Sequence, residues 1–199
     1  MRKLLLGAAT VLAMGFAGVA ALADGHGKSW ALDGAASTVA FGSIKKDTVG
    51  ETHHFAGLSG TVTQDGEVSV EIDLASVETW IDKRNERMIE HVFMNAPTAT
   101  FSAKVDMASL EGLAVGGMQD VGLKGTLTMG SAEIPVQADM IAVRLNEMRV
   151  MIVTAEMIWV STEEAGIDAG VTKLLELAKL PSITRAFPVT LRLVFDHRM

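Results

Sequence analysis

Apolar and polar residues alternate one by one along much of the chain. The clearest case is segment 67–74, where Val68, Val70, Ile72 and Leu74 point one way and acidic or hydroxyl side chains point the other. This period of two is typical of a β-strand with one buried and one wet face. The segment is therefore predicted to be a strand at the surface of an antiparallel sheet.

Seven further segments have strand-like patterning, and turn residues separate several of them. They are residues 39–44, 53–63, 99–107, 121–129, 134–140, 149–160 and 189–195. Asp65-Gly66 and residues 130–133 predict hairpin turns, and a phase slip at Gly57 predicts a β-bulge. Eight strands indicate a closed antiparallel β-barrel, either packed solid or enclosing a narrow lumen.

Two helical segments interrupt the strands. Asp82 is predicted to cap the first, which ends before Pro97, and Asp168 to cap the second, which ends before Pro181. Their apolar positions recur at helical spacing: Met88, Ile89, Val92 and Phe93 in the first, and Val171, Leu174, Leu175 and Ala178 in the second. Both are too short to form a domain, so we interpret them as lids packed on the barrel.

The alternation also predicts which side chains line the lumen. In segment 149–160 the steadily apolar face carries the odd-numbered residues, and we assign that face inward. The predicted lumen residues are Val39, Phe41, Phe55, Val70, Ile72, Phe101, Leu127, Met129, Met140, Met151, Val153, Met157 and Trp159.

Five methionines fall on the faces assigned inward: Met107, Met129, Met140, Met151 and Met157. A flexible, polarizable side chain can conform to a long hydrocarbon, but the same residues could fill an ordinary solid core. Methionine content alone does not separate these two interpretations.

The N-terminal 23 residues have the pattern of a secretory signal peptide. Arg2 and Lys3 precede an apolar stretch, and Ala21 and Ala23 suit the positions before a cleavage site ahead of Asp24. The alternative, an uncleaved membrane anchor, is disfavoured because the apolar run is short and interrupted by glycines. We expect a periplasmic protein with one mature domain, residues 24–199.

Composition removes several classes of function. Cleavage would change the formal net charge from −7 to −9, because residues 1–23 hold two basic and no acidic residues. That acidity argues against nucleic acid and against broad adsorption to anionic membranes. The sequence contains no cysteine, so thiol chemistry and thiolate metal sites are excluded.

Sequence motifs for catalysis or metal binding are not found. There is no G-x-S-x-G elbow, phosphate loop or HExxH pattern. His53 and His54 are adjacent on a predicted strand and point to opposite faces, so both cannot bind one metal without distortion. We interpret all five histidines as surface residues, and predict no catalytic residue, metal or cofactor.

Three cations on the first helix are candidates for binding a polar head group at a barrel mouth. Lys83, Arg84 and Arg87 lie close together, and an arginine fork suits a phosphate or carbonyl oxygen. The alternative is that they pair with Glu86 and Glu90 in solvent. The sequence leaves both interpretations open.

The order of short motifs resembles the YceI-like family of exported bacterial proteins. The opening pattern is met by Trp30, Leu32, Asp33, Ser37, Val39 and Phe41, with Ala36 where the family usually has His. Residues 79–93 resemble the middle signature through Thr79, Arg84 and Phe93, while Asn85 and Arg87 replace its Asp and His. Pro97, Ala99, Phe101, Gly125, Leu127, Thr128, Pro135 and Val136 match later motifs.

This resemblance implies a lipocalin-like barrel that holds a polyisoprenoid or other long lipid in its lumen. By analogy, an isoprenoid quinone is also a candidate ligand, since the family is often encoded near membrane cytochromes. Two alternatives stay open: a solid-barrel protein that docks on an inner-membrane cytochrome complex, and, less favoured, a lipid-modifying enzyme. The oligomeric state, including a homodimer, is not determined by the sequence.

Overall fold

The computed structural model describes residues 29–198. The predicted signal peptide and its cleavage site lie outside the described residues. Described strands are β1 Ser29–Leu32, β2 Thr38–Lys45, β3 Val49–Phe55, β4 Leu58–Val62, β5 Glu67–Asp73, β6 Val77–Glu78, β7 Thr98–Lys104, β8 Met118–Met129, β9 Ala132–Asn146, β10 Arg149–Thr154, β11 Ile158–Ser161 and β12 Ala186–Arg198. Described helices are α1 Asp82–Arg87, followed by a π-helical turn Met88–Val92, α2 Met107–Glu111 and α3 Asp168–Ala178.

The strands close into an antiparallel barrel, as predicted. The ring order is β1, β4, β5, β7, β8, β9, β10 and β12, and β12 pairs back onto β1. The remaining strands extend the wall: β2 pairs with the first half of β12, β3 with β2, β6 with β3, and β11 with β12. Eight positions around the ring are thus occupied by strands, several of which are interrupted.

The predicted bulge at Gly57 is wrong, because the chain breaks there into β3 and β4. Gly57 forms a corner: its N–H donates to Ser76 Oγ at 2.8 Å and its carbonyl accepts from the Asp73 N–H at 2.9 Å. A Cβ at this position would lie 2.8 Å from the Asp73 Cβ. The phase slip in the sequence therefore marks a change of pairing partner, from β2 to β1.

A polar seam fixes the kink between β1 and β2. The Asp33 N–H donates to the Val194 carbonyl at 2.8 Å, and the Val194 N–H donates to Ser37 Oγ at 2.9 Å. Arg149 on β10 forms an ion pair with Asp33. Two residues of the opening motif thus act in barrel closure.

Both predicted tight turns are present. Gly66, between β4 and β5, has a φ of 81°, and a Cβ there would lie 2.0 Å from the Val105 carbonyl oxygen. Gly130, with a φ of 59°, joins β8 to β9 so that Met129 pairs with Ala132. Glycine suits both positions because side chains strain a left-handed backbone.

The helices occur where expected, but their predicted caps are wrong. Asp82 and Asp168 are the first helical residues, and the cap positions are Ile81 and Ile167. Asp168 instead accepts a hydrogen bond from Thr162 Oγ1 at 2.6 Å. The short helix α2 was not anticipated, and it places Met107 in a helix rather than at the end of a strand.

The barrel has two distinct ends. α1, the π-helical turn and α3 lie at one, which we call the helix end, together with the β2–β3 and β8–β9 turns. α3 crosses the π-helical turn closely, since a Cβ on Gly170 would lie 2.2 Å from the His91 carbonyl oxygen. The opposite end carries the β4–β5 turn, α2 and the β9–β10 turn.

Candidate functional site

A cavity of about 930 Å³ occupies the barrel interior. Ile134 near the start of β9 and Arg144 near its end both line it. These two residues are ten positions apart, and ten residues of tilted strand span roughly 25 Å along the barrel axis, which gives the length of the cavity. At about 30 Å³ for each water-sized group, the volume suits on the order of 30 heavy atoms. The alternative of a solid barrel is therefore wrong.

Most of the predicted lumen residues line this cavity. They are Val39, Phe41, Phe55, Val70, Ile72, Phe101, Leu127, Met129 and Met140. Met140 is 2% exposed, at the centre of the β9 face. Their contact with a ligand stays a prediction, but their position on the inner wall follows from the alternation.

The inward assignment of segment 149–160 is wrong. Met151, Val153, Met157 and Trp159 do not line the cavity, and Met157 and Trp159 are 60% and 65% exposed. The even-numbered face lines it instead, through Val150, Ile152, Ile158 and Val160.

The cause is the interruption at residues 155–157 between β10 and β11. Thr154 and Glu156 made the even-numbered face look polar in the sequence. Glu156 lies in this interruption and is exposed, while Thr154 Oγ1 accepts from the Leu191 N–H at 3.4 Å. Neither residue places a charge in the cavity.

The first helical segment forms part of the cavity wall. Met88, Val92 and Phe93 line the cavity and are buried, while Ile89 is half-buried and packs on the core outside it. From α3, Val171, Leu174 and Ala178 also contribute. In the described residues no helix is long and apolar enough to cross a membrane.

One polar region of the cavity wall lies on β2, β3 and α1, and only Arg84 among its residues was predicted from the sequence. Ser43 and Lys45 on β2, Glu51 and His53 on β3, and Arg84 on α1 all line the cavity. We call these five residues the polar wall. Ser43 pairs with Glu51 across the strands, so residues two apart on each strand share the inner face. If the alternation of segment 39–44 is continued by one residue, Ser43 and Lys45 fall on its inward face, so the sequence could have indicated that both line the cavity.

His53 is buried, contrary to the predicted surface position. It is 4% exposed, its Nε2 lies 3.1 Å from Ser43 Oγ, and its Nδ1 is buried without a hydrogen-bond partner. Burial, followed by the charge of Arg84, lowers the pKa of His53 from 6.5 to about 4. The ring is therefore neutral at ordinary pH.

Glu51 holds two cations of the polar wall. Its carboxylate accepts from Lys45 Nζ at 2.8 Å and from Arg84 NH1 at 2.9 Å. Burial raises the pKa of Glu51, but hydrogen bonds from Lys45 and Arg84 outweigh it and lower that pKa. Arg84 NH2 donates to the Thr79 carbonyl at 2.6 Å, while Arg84 Nε is buried without a partner.

The three head-group candidates all line the cavity but differ in their partners. Arg84 pairs with Glu51. The alternative in which these cations pair with Glu86 or Glu90 in solvent is therefore wrong for Arg84. Lys83 does pair with Glu86, at 2.5 Å, in an exposed position. Arg87 is half-buried and forms none of the ion pairs described for residues 29–198.

Aromatic rings pack next to the polar wall. The Phe41 ring centroid lies 5.2 Å from that of His53 and 5.5 Å from that of Phe55, and Phe55 lies 5.8 Å from Phe93. All four side chains line the cavity. A head group near His53 would thus meet ring faces on one side and donors on the other.

The Ser43–His53 contact does not form a hydrolytic triad. A serine nucleophile needs a basic imidazole whose other nitrogen is oriented by a carboxylate. His53 Nδ1 has no such partner, and a pKa near 4 makes the ring a poor base. Within residues 29–198, no group of three or more His, Asp or Glu side chains is placed to hold a metal ion.

At the opposite end the cavity is lined by a different set of contacts. The Arg144 guanidinium lies 5.6 Å from the Trp30 ring centroid, and the His197 ring is 4.9 Å from it, edge to face. Arg144 donates to the Asn146 carbonyl at 3.1 Å. Its charge is thus directed to the local backbone and the indole.

Comparisons with known proteins agree with this architecture. The YceI-like domain model matches residues 30–194. The structure is similar to a polyisoprenoid binding domain from Saccharophagus degradans implicated in plant cell wall breakdown, with 34% identity and a TM-score of 0.83, covering 85% of this chain and 98% of that chain. No significant match was found among curated proteins.

BcnA of Burkholderia cenocepacia is also similar, with 18% identity, a TM-score of 0.63, and coverage of 82% of this chain and 98% of that chain. At this identity the likeness concerns the fold. The family model spans most of the chain, and the first structure matches over nearly the same length at higher identity. The chain therefore belongs to the YceI-like domain family.

Proposed function

We propose that this protein binds a long isoprenoid-type lipid in its barrel and carries it through the periplasm. The observation that carries the proposal is the continuous apolar cavity between the helix end and the opposite end. The similar domain from Saccharophagus degradans, named as polyisoprenoid binding, supports this ligand class. A polyprenyl chain and an isoprenoid quinone both match the class.

A carrier is chemically useful because such a lipid cannot cross water unaided. Exposing apolar groups costs about 0.8 kcal/mol for each CH₂. A lipid whose hydrocarbon chain is long enough to fill the cavity would therefore very rarely leave a membrane unless a protein covered it. The enclosed barrel provides that cover.

The ligand's polar head lies at the polar wall in this proposal. His53 Nδ1 and Arg84 Nε are buried without partners, and unsatisfied buried polar atoms cost roughly 1–3 kcal/mol each. A small rotation of either side chain would expose these atoms, and a carbonyl or phosphate oxygen could then accept from Arg84 Nε and, in one tautomer, from His53 Nδ1. Arg87, which forms no ion pair within residues 29–198 and lines the cavity, could contribute a further charge.

The role proposed is binding, without catalysis. Ser43 and His53 lack the third member and the basicity that a hydrolase needs, as described above. A contact with an inner-membrane cytochrome complex would concern the outer surface and would not use the cavity. Export through the predicted signal peptide, with Asp24 as the mature N-terminus, completes the proposal.

Lipid extraction tests the proposal directly. Protein purified from the periplasm without detergent is extracted with organic solvent, and the extract is analysed by mass spectrometry. We expect one isoprenoid lipid per chain, and N-terminal sequencing of the same sample should begin at Asp24. An extract with no stoichiometric lipid, or with lipids in the proportions of the bulk membrane, would contradict the proposal.

A further inference from the structure

Large apolar side chains are exposed beside the cavity at the helix end. Trp80 is 76% exposed and Ile81 is 50% exposed, just before α1, while Ile44 and Val49 are exposed on the β2–β3 hairpin. We call these four residues the rim patch. Lone exposed apolar residues are ordinary, but a group of them beside a binding cavity indicates an interaction surface.

The backbone holds the Trp80 indole outward at a cost. Trp80 has a φ of 65°, a left-handed conformation that disfavours bulky side chains. Its N–H donates to the Glu78 carboxylate, and Asn85 Oδ1 accepts from both the N–H and the hydroxyl of Thr79. The loop is therefore fixed by hydrogen bonds in a strained form that exposes an apolar ring.

The rim patch is continuous with the cavity. Ile81 belongs to both, since it lines the cavity and is half exposed to solvent. The Arg84–Glu51 ion pair ties α1 to β3, and the Trp80 ring lies 5.5 Å from that of His54 on β3. The two exposed segments thus adjoin elements that line the cavity at the helix end.

The charge around the patch favours a neutral partner. Residues 44–51 and 78–94 contain five basic and six acidic residues, whereas the whole chain has a net charge of −7. An acidic protein is repelled by anionic surfaces, but this nearly neutral region is not. Tryptophan is also, with tyrosine, enriched where membrane proteins meet the lipid–water interface.

We propose that the rim patch docks on the neutral surface of a lipid bilayer, with the Trp80 indole inserted among the head groups. The inference rests on the proposed function, because a ligand insoluble in water must pass directly between the membrane and the cavity. Docking places the mouth of the cavity against the bilayer. Binding to it is expected to be weak and independent of salt, since burial of apolar surface drives it.

Vesicle binding of matched variants tests the proposal. Wild type, Trp80→Asp and Met118→Asp are sedimented with phosphatidylcholine vesicles at low and high salt. Aspartate tolerates the left-handed backbone at position 80, and Met118, 69% exposed at the opposite end, receives the same charge change. We expect roughly tenfold weaker binding for Trp80→Asp only, the loss from removing one buried aromatic anchor.

The outcomes separate this inference from the carrier function, because extracted lipid is measured on the same samples. Any of three results would overturn docking. They are equal vesicle binding by wild type and Trp80→Asp, no binding by lipid-loaded wild type, and binding only to anionic vesicles at low salt. Lipid-free wild type that still binds vesicles through Trp80 would support docking and overturn the carrier proposal. A second variant, Ile81→Asp, puts a good capping residue at the start of α1 and should also weaken binding.

Discussion

The two walls of the cavity differ in chemistry although both are built from β-strands. The wall formed by β5, β7, β8 and β9 presents inward side chains that are all apolar until Arg144, near the end of β9. The wall formed by β2, β3 and α1 adds serine, histidine and five charged groups to its apolar side chains. A core needs only the first kind of wall, because buried polar groups are costly.

The difference indicates how a ligand would lie. A hydrocarbon chain needs apolar contact along its length, which the first wall offers without interruption. The polar wall satisfies most of its own groups internally and leaves His53 Nδ1 and Arg84 Nε unpaired. In the proposed function the ligand's head lies near Arg84 and its tail extends toward Trp30.

The largest expected effect comes from a charge placed on the apolar wall. Met140→Lys puts an ammonium group among apolar side chains, which should lower the free energy of unfolding by about 3–5 kcal/mol and abolish lipid retention. Met151→Lys is the matched control, because Met151 lies on the opposite face of β10 and does not line the cavity. Chemical denaturation and lipid extraction measure both; equal effects of the two changes would contradict the assigned faces.

Acid should weaken the polar wall through His53. The unfolded chain binds a proton at this residue near pH 6.5 and the folded protein only near pH 4, so stability falls as the pH drops between these values. The full loss amounts to roughly 2–4 kcal/mol. Glu51 contributes stability above pH 4.5 that is lost only at lower pH, so the window from 6.5 to 4.5 reports on His53.

The corresponding experiment is denaturant unfolding at several pH values. His53→Phe removes the titrating group and should flatten the dependence between pH 6.5 and 4.5, whereas His54→Gln on the other face of β3 should retain it. An unchanged slope in His53→Phe would mean that another group causes the dependence.

A moderate effect is expected for the arginine of the polar wall. Arg84→Ala removes the ion pair with Glu51 and the hydrogen bond to Thr79, and should cost about 1–3 kcal/mol of stability. Lipid affinity, measured by titration of delipidated protein, should also fall. Arg185→Ala, which breaks an exposed pair with Asp168, is the control and should leave lipid affinity unchanged. Undiminished lipid affinity in Arg84→Ala would remove this residue from the head-group site.

The smallest stability effects are expected at the other two cations. Lys83→Ala breaks an exposed pair with Glu86, worth about 0–1 kcal/mol. Arg87→Ala breaks no described ion pair, so its stability should be unchanged while lipid affinity falls. Thermal unfolding and lipid titration separate the two variants. If Lys83→Ala weakened lipid binding more than Arg87→Ala, the roles assigned to them would be reversed.

The sequence predicted the barrel well because alternating apolar and polar residues directly reflect a strand with one buried and one exposed face. Segments 67–74 and 121–129 have one clear apolar face, and both faces were assigned correctly. Segment 149–160 has apolar residues on both faces, and its alternation could not reveal the interruption at residues 155–157. The inner face was therefore assigned to Met151 when Ile152 occupies it.

The polar wall was harder to predict than the apolar lining. Four of its residues lie on the neighbouring strands β2 and β3, but Arg84 is distant in sequence and joins them only through its ion pair with Glu51. His53 packs against the Phe41 ring, which in turn packs against Phe55. Alternation places His53 on the same face as Phe55, two residues later, and could have indicated its inward position. The extent of its burial follows only from the closed barrel.

A crystal structure of detergent-free protein tests the central claim most directly. We expect continuous elongated density inside the barrel, with one end within hydrogen-bonding distance of Arg84 Nε or His53 Nδ1. The rest should follow Met129 and Met140 toward Trp30. Density confined to separate ordered waters, or a lipid head placed beside Trp30 and Arg144 instead, would contradict the account.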